Sequence, residues 1–253
     1  MSILPTTNNY NPSSMYDGGS RRGKQGPALL RRLFRFPQMD FEFAIWQMCY
    51  LLIAPRRVYR NIYYHKQTKN QWSRDDPAFL VLLILFITLS AIVWSVTYDL
   101  GIYGAIKTVL SMIFLEFLFI GSLISTATWY MTNKFLTQNI NTYAVAQKVE
   151  WPYAFDVHCN SFLPVYMILY VVQWFFLPLL LKDSWISMLM GNLMYCIALI
   201  WYMVGTFLGF NALPFLVHTE LLLYPIALCI ALFIASLFGL NISQYVLGHY
   251  FSQ

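Results

Sequence analysis

Five stretches of this chain are apolar and long enough to cross a lipid bilayer, and this constrains the fold more than any other feature of the sequence. They run from about residue 77 to 98, 105 to 130, 160 to 181, 185 to 210 and 220 to 240. A spanning helix needs about 20 apolar residues, and its backbone amides must bond within the segment because hydrocarbon offers them no water. The sequence therefore predicts an all-α, polytopic membrane protein with five transmembrane helices.

Composition places the whole chain among membrane proteins. Of its 253 residues, 58% are hydrophobic and only 11% are charged, about half the charged share of soluble domains. Residues 1–37 are polar and basic without an apolar signal segment, so we expect an uncleaved, disordered tail there. Residues 38–76 are predicted to form interfacial helices, 77–240 the five-helix membrane domain, and 241–253 a short lumenal tail.

The distribution of basic residues predicts the orientation in the membrane. Of the 16 Lys and Arg residues, 12 precede Pro77, where the first apolar stretch begins. Segments rich in Lys and Arg remain on the cytosolic side of a membrane. The N-terminus is therefore predicted to be cytosolic, and the C-terminus lumenal after five crossings.

Two acidic residues, Asp75 and Asp76, lie directly against the first apolar stretch in the string QWSRDDPAF. Pro77 suits the first turn of a helix because it lacks an N–H, and Asp76 before it is a natural N-cap. Trp72 is predicted to anchor the chain at headgroup depth. Arg74 is expected to pair with Asp75 or with a lipid phosphate. Capping does not explain Asp75, so a contact with the preceding basic segment or with a partner stays open.

A short apolar helix and a short basic helix are predicted before that string. Residues 41–54, FEFAIWQMCYLLIA, are apolar but too short to span, so they should lie in the interface or pack against the bundle. Pro55 ends this segment, and Arg56 and Arg60 then share one side of a helix. With Arg57 they are predicted to bind anionic lipid headgroups, or alternatively only to set the topology. RNA is an improbable ligand, because no RNA-binding motif is present.

Polar side chains within the predicted spans are candidates for function, because placing them in lipid is costly. Asp156 and Asn160 share a helix face, whereas His158 points about 160 to 200° away from both. Glu116 is either a functional acid or a protonated carboxyl bonded to another helix. Asn192 is expected to hydrogen-bond across helices.

Glycines and one proline within the predicted spans allow predictions about helix packing. Close helix approach is predicted at Gly191, and contacts between small and polar residues are expected around Gly205 and Gly209. Pro225 should kink the last span or begin it later than the apolar stretch does.

No motif for catalysis, metal binding or cofactor binding occurs in the sequence. There is no nucleophile elbow, phosphate-binding loop, dinucleotide fingerprint, HExxH or CxxC string. We therefore predict no enzyme, no cofactor and no metal site. The acid, histidine and amide near residue 158 are interpreted as a hydrogen-bond cluster, with metal binding or proton relay as the alternative.

Five separate strings resemble the Unc-fifty family of multi-span Golgi membrane proteins. They are FEFAIWQM (41–48), APRRVYRN (54–61), KQTKNQWSRDDPAF (66–79), VEWPYAFDVH (149–158) and FLGFNALPFL (207–216). The likeness extends over about residues 38 to 240. Pro152 stands where the family pattern has Ala, which leaves open whether the third helix extends back through Trp151.

The resemblance implies a Yip-like protein of the Golgi and endoplasmic reticulum membranes with a role in vesicle-mediated protein transport. It implies an adaptor that recruits exchange factors for Arf GTPases and supports surface delivery of cargo such as nicotinic receptor subunits. RNA binding is also attributed to the family, and no catalytic residues are. We expect the docking face to comprise Arg56, Arg57, Arg60, Trp72, Arg74, Asp75 and Asp76.

The competing interpretation is a transporter or lipid-moving protein. Its polar path across the bilayer would be lined by Glu116, Asp156, His158 and Asn160. Flux or lipid scrambling by the purified protein would distinguish it from an adaptor.

An odd number of spans predicts different fates for the two chain ends in sealed microsomes. Added protease should remove an N-terminal tag and leave a C-terminal tag intact until detergent opens the vesicles, because only the N-terminus is expected outside. Immunoblotting of the two tags measures this. Equal protection or equal loss of both tags would contradict the five-span topology.

Overall fold

The computed structural model describes residues 39–60, 72–74, 76–138 and 147–251. Two short helices come first, α1 (Phe41–Ile53) and α2 (residues 55–60). Five segments long and apolar enough to cross a membrane follow. They are α3 (Ala78–Thr97), α4 (Gly101–Leu136), α5 (Trp151–Phe175), α6 (Trp185–Asn211) and the fifth span, Thr219–Ser236. The all-α, five-span prediction is confirmed.

The ends of several spans differ from the apolar stretches. Helix α4 is 36 residues long and α5 begins at Trp151, nine residues before the predicted start, so helical structure continues beyond the most apolar part of each segment. Pro152 occupies the first turn of α5, where the missing N–H costs nothing. The helix therefore does extend back through Trp151.

The fifth span begins with a 3₁₀ turn, Thr219–Leu223, and continues as α7 (Pro225–Ser236). Of the two outcomes predicted for Pro225, the later start of the α-helix is the correct one. Only 11% of this span is buried, against 50% of α5. Helix α5 is therefore the centre of the bundle, and α7 lies at its periphery with its apolar side chains outward.

Glycines allow α6 to approach its neighbours closely, which confirms the prediction for Gly191 and extends it to Gly205 and Gly209. A Cβ at Gly209 would lie 2.7 Å from both methyl groups of Val157 on α5, and one at Gly205 would lie 2.8 Å from Ser161 Oγ. A Cβ at Gly191 would lie 2.6 Å from Ser243 Cβ. These distances are too short for any larger residue, so the glycines fix the helix separation.

Helices α1 and α2 pack against the bundle. Ala44, Met48 and Leu51 of α1 are buried in the same hydrophobic cluster as residues of α3 and α5. Val58 and Tyr59 of α2 are 0% and 3% exposed. Of the two placements predicted for residues 41–54, packing against the bundle is the one observed.

The chain after α7 returns to the bundle as α8 (Ile242–Phe251), and is not the plain tail expected for residues 241–253. Leu247 is buried, and the Phe251 ring stacks on Trp94 and Tyr98 with centroids 5.2 and 4.5 Å away. Ser243 is completely buried where Gly191 leaves room for it. Helix α8 therefore closes the end of the bundle opposite α2.

Replacing Gly209 with Leu is expected to destabilise the fold by about 1–3 kcal/mol, because the new side chain overlaps Val157. Gly248→Ala is the matched control, since nothing lies within 4 Å of a Cβ there. Alanine in a helix interior should raise stability by about 0.5–1 kcal/mol. Thermal unfolding in detergent, followed by size-exclusion chromatography, compares the two. A Gly209→Leu protein as stable as wild type would refute the close approach.

Candidate functional site

Arg74 joins the segment before the first span to the polar face of α5. Its backbone N–H donates to Asp156 Oδ2 at 2.7 Å, and its guanidinium donates to Asn160 Oδ1. The guanidinium carbon also lies 4.1 Å from the ring centroid of Phe79. The predicted shared face of Asp156 and Asn160 is confirmed, and its ligand is an arginine of the same chain. We call these three residues the Arg74 junction.

Two members of the predicted docking face are turned inward. Trp72 is only 7% exposed, and its ring packs against Tyr153 and Phe215 at centroid distances of 6.5 and 6.0 Å. Its prediction as a headgroup anchor is wrong, because an aromatic pocket of the bundle encloses the ring. The guanidinium of Arg74 is directed to Asn160, a partner that the sequence did not predict. Asp75 lies outside the described residues.

Asp76 links the starts of two helices. Its Oδ1 accepts a hydrogen bond from the Ala78 N–H at 3.0 Å, so Asp76 bonds a free amide at the start of α3 from one position before the N-cap, which is Pro77 and not Asp76 as predicted. Its Oδ2 accepts from the Asp40 N–H at 2.8 Å, and Asp40 in turn caps α1 through the Phe43 N–H at 2.9 Å. Asp76 is therefore occupied by structural contacts.

Three arginines, Arg56, Arg57 and Arg60, are exposed on α2. We call them the basic face. Arg56 and Arg60 border a groove of about 450 Å³ whose other wall is formed by Phe207, Leu208, Asn211 and Ala212 of α6 and its end. Between the arginines, burial raises the pKa of Tyr59 to about 12. Neither Asp nor Glu is among the residues that line this groove, so the positive charge of the two arginines is uncompensated there.

His158 is separated from the other two members of its predicted group. The side chain is 3% exposed, and Nδ1 is hydrogen-bonded to the Tyr202 hydroxyl at 2.8 Å. Its ring is packed among Phe117, Phe155 and Phe162. Across the described ranges, no cluster of three His, Cys, Asp or Glu residues could hold a metal ion. The acid, histidine and amide do not form one cluster.

Glu116 lies at a second, distinct place in the bundle. The Tyr170 hydroxyl donates to Glu116 Oε2, and Glu116 lines a cavity of about 250 Å³. The lining of this cavity does not include Asp156, His158 or Asn160. The structure therefore does not bring together the four residues that the transporter interpretation requires.

Asn192 makes the interhelical contacts that its position predicts. Its amide nitrogen donates to Ser236 Oγ at 2.9 Å and to the Leu240 carbonyl at 2.7 Å. Its oxygen accepts from the Ile242 N–H at 2.8 Å. Asn192 therefore links α6 to the segment that connects α7 and α8, and this role is structural.

The sequence offered no signal for the aromatic walls of the Glu116 cavity. Four of its tyrosine and tryptophan residues come from four different helices: Trp94, Tyr170, Tyr195 and Tyr250. In sequence they look like ordinary boundary residues, since Tyr and Trp are common in every membrane protein. Their convergence depends on how the helices are rotated against one another.

Comparison with known proteins gives consistent matches along nearly the whole chain. A family model described as the UNC-50 family matches residues 29–251. A protein named Protein unc-50 homolog from Rattus norvegicus is 46% identical, covering 98% of this chain and 98% of the relative. The Dictyostelium discoideum protein of the same name is 46% identical over 92% and 90%, and the Homo sapiens one 44% over 96% and 92%. No solved structure matches.

Removing the Arg74 side chain is expected to destabilise the protein, in contrast to removing an arginine of the basic face. Arg74→Ala leaves the buried Asn160 carbonyl without its donor and should cost about 1.5–3 kcal/mol. Arg57→Ala, an exposed arginine, should change stability by less than about 0.5 kcal/mol. Thermal unfolding in detergent tests both. Equal melting temperatures would show that the Arg74 junction does not hold the segment.

Proposed function

This chain belongs to the UNC-50 family, and from that membership we propose that it is a non-enzymatic membrane adaptor in vesicle-mediated protein transport at the Golgi and endoplasmic reticulum. In this proposal it recruits guanine-nucleotide exchange factors for Arf GTPases to the membrane. It thereby supports surface delivery of cargo such as nicotinic receptor subunits. The N-terminal side of the bundle faces the cytosol, and the C-terminus the lumen.

The basic face on α2 is the observation that carries the proposal. Arg56, Arg57 and Arg60 are exposed, while Val58 and Tyr59 from the same helix are buried in the bundle. The arginines are therefore presented on a docked helix. Each basic residue near an anionic leaflet gains about 1 kcal/mol, so the face supports binding to anionic lipid and to acidic segments of a partner together.

The proposed docking face is smaller than the sequence suggested. Trp72, Arg74 and Asp76 contact the bundle itself, so they position the basic face and are not free to bind a partner. This division separates two kinds of variant. Substitutions in the Arg74 junction should alter folding, whereas those on the basic face should alter recruitment.

The transporter interpretation has less support in the described part of the chain. Asp156 and Asn160 are engaged by Arg74, and His158 is enclosed by aromatic rings. Glu116 lines a cavity that none of these three residues reaches. The adaptor is therefore the function that we adopt.

Reversing the charge of the basic face is expected to reduce exchange-factor recruitment several-fold without preventing membrane insertion. The variant Arg56→Glu, Arg57→Glu, Arg60→Glu replaces attraction to anionic lipid with repulsion. The amount of exchange factor on Golgi membranes, quantified by fluorescence in cells that lack the wild-type protein, is the measurement. Carbonate extraction checks insertion.

The matched control reverses the charge of two lysines near the same end of the bundle. Lys134 and Lys148 are exposed and lie outside the basic face. The variant Lys134→Glu, Lys148→Glu should recruit normally. Normal recruitment by the arginine variant would overturn the proposal. An equal loss in both variants would assign the effect to overall charge and not to α2.

A further inference from the structure

The Glu116 cavity is walled mainly by aromatic rings. It lies among α3, α4, α5, α6 and α8, and its volume is about 250 Å³. Pockets for drug-sized ligands measure about 300–1,000 Å³, so this one suits a smaller group. Five rings line it: Trp94, Tyr170, Tyr195, Tyr250 and Phe251.

The cavity contains an acid and no base. Glu116 is the one ionisable carboxyl among its lining residues, and neither Lys, Arg nor His is present among them. Glu116 Oε2 accepts from the Tyr170 hydroxyl, but Oε1 is buried without a hydrogen-bond partner in the described residues. An unsatisfied buried carboxylate is costly, so the site is incomplete as it stands and is complementary to a positive charge.

The walls of the cavity are held in place by contacts outside it. The Trp94 indole donates to the Tyr170 carbonyl at 2.9 Å, and Gln173 donates to Ser243 Oγ at 2.9 Å. Phe251 is stacked on Trp94. Glu116 and Tyr170 both lie in π-helical segments, Ser111–Ile120 and Met167–Val172, and such widened turns are frequent at functional sites.

We propose that this cavity binds a small alkylammonium cation, with the aromatic rings around its methyl groups and Glu116 as its counter-charge. Rings that face a quaternary ammonium attract it through their electron-rich faces. A hard metal ion fits less well, because Ca²⁺ requires six to eight oxygen ligands and Mg²⁺ six. The site lies in the half of the bundle away from the basic face and shares no lining residue with the groove there, so this proposal does not rest on the recruitment function.

Two sources could supply such a cation, a free quaternary amine or the choline headgroup of a phospholipid in the adjoining leaflet. Both present the same trimethylammonium group. The chemistry of recognition is therefore shared, and the source has to be distinguished by experiment.

The first test compares choline with 3,3-dimethylbutan-1-ol, which has the same shape without the charge. Wild-type protein in maltoside detergent should bind choline, measured by calorimetry and by thermal stabilisation, and should bind the neutral analogue at least about tenfold more weakly. Binding of choline in the absence of lipid would identify the free quaternary amine as a source of the cation. Equal binding of both compounds would overturn the proposal without the need for any variant.

Glu116→Gln tests the counter-charge, because the amide oxygen can still accept from Tyr170. The preference for the cation should fall roughly tenfold or more. Glu220→Gln, the same change at an exposed position outside the cavity, should leave it unchanged. Retained preference in Glu116→Gln would overturn the proposal.

The lipid source is tested in nanodiscs that contain equal amounts of phosphatidylcholine and phosphatidylglycerol. Native mass spectrometry should show retained phosphatidylcholine in the wild type and less of it in Glu116→Gln. This outcome, with or without free choline binding, supports the proposal. If the protein shows neither binding of free choline nor selective retention of phosphatidylcholine, the proposal is refuted. This holds whether or not exchange-factor recruitment is normal.

Discussion

The contact between Arg74 and the polar face of α5 holds the segment before the first span against the bundle. In a bundle that exposes mainly apolar side chains, Asp156 and Asn160 need a partner from within the chain. Arg74 supplies it with a backbone N–H and a guanidinium, and Asp76 then bonds to both helix starts. The basic face of α2 is presented to its surroundings because Val58 and Tyr59 of the same helix are buried in the bundle.

The two ends of the bundle carry sites of opposite charge. One end carries exposed arginines over a groove of about 450 Å³, and the other encloses a carboxylate with aromatic rings. Between them, α5 and α6 are packed through glycines that allow no larger residue. The two sites share no lining residue.

Local sequence patterns were sufficient where a single helix decides the outcome. The i, i+4 spacing placed Asp156 and Asn160 on one face, and the order Asp76, Pro77 marked the start of α3. Trp72 shows where such reasoning fails. A tryptophan ring is equally compatible with lipid headgroups and with a protein core. Only the tertiary structure, which places Tyr153 and Phe215 beside the ring, shows that it lies in the core.

The sequence alone determined the number of membrane-spanning helices, their approximate bounds and the close approach at Gly191, because these follow from hydrophobic length and residue size along one segment. Only the tertiary structure decided which polar groups meet. Glu116 faces Tyr170, 54 positions away, and α8 returns to complete the cavity beside them. Such contacts depend on the rotation and separation of whole helices. Side-chain packing between helices sets both, and the residue pattern of a single helix does not reveal them.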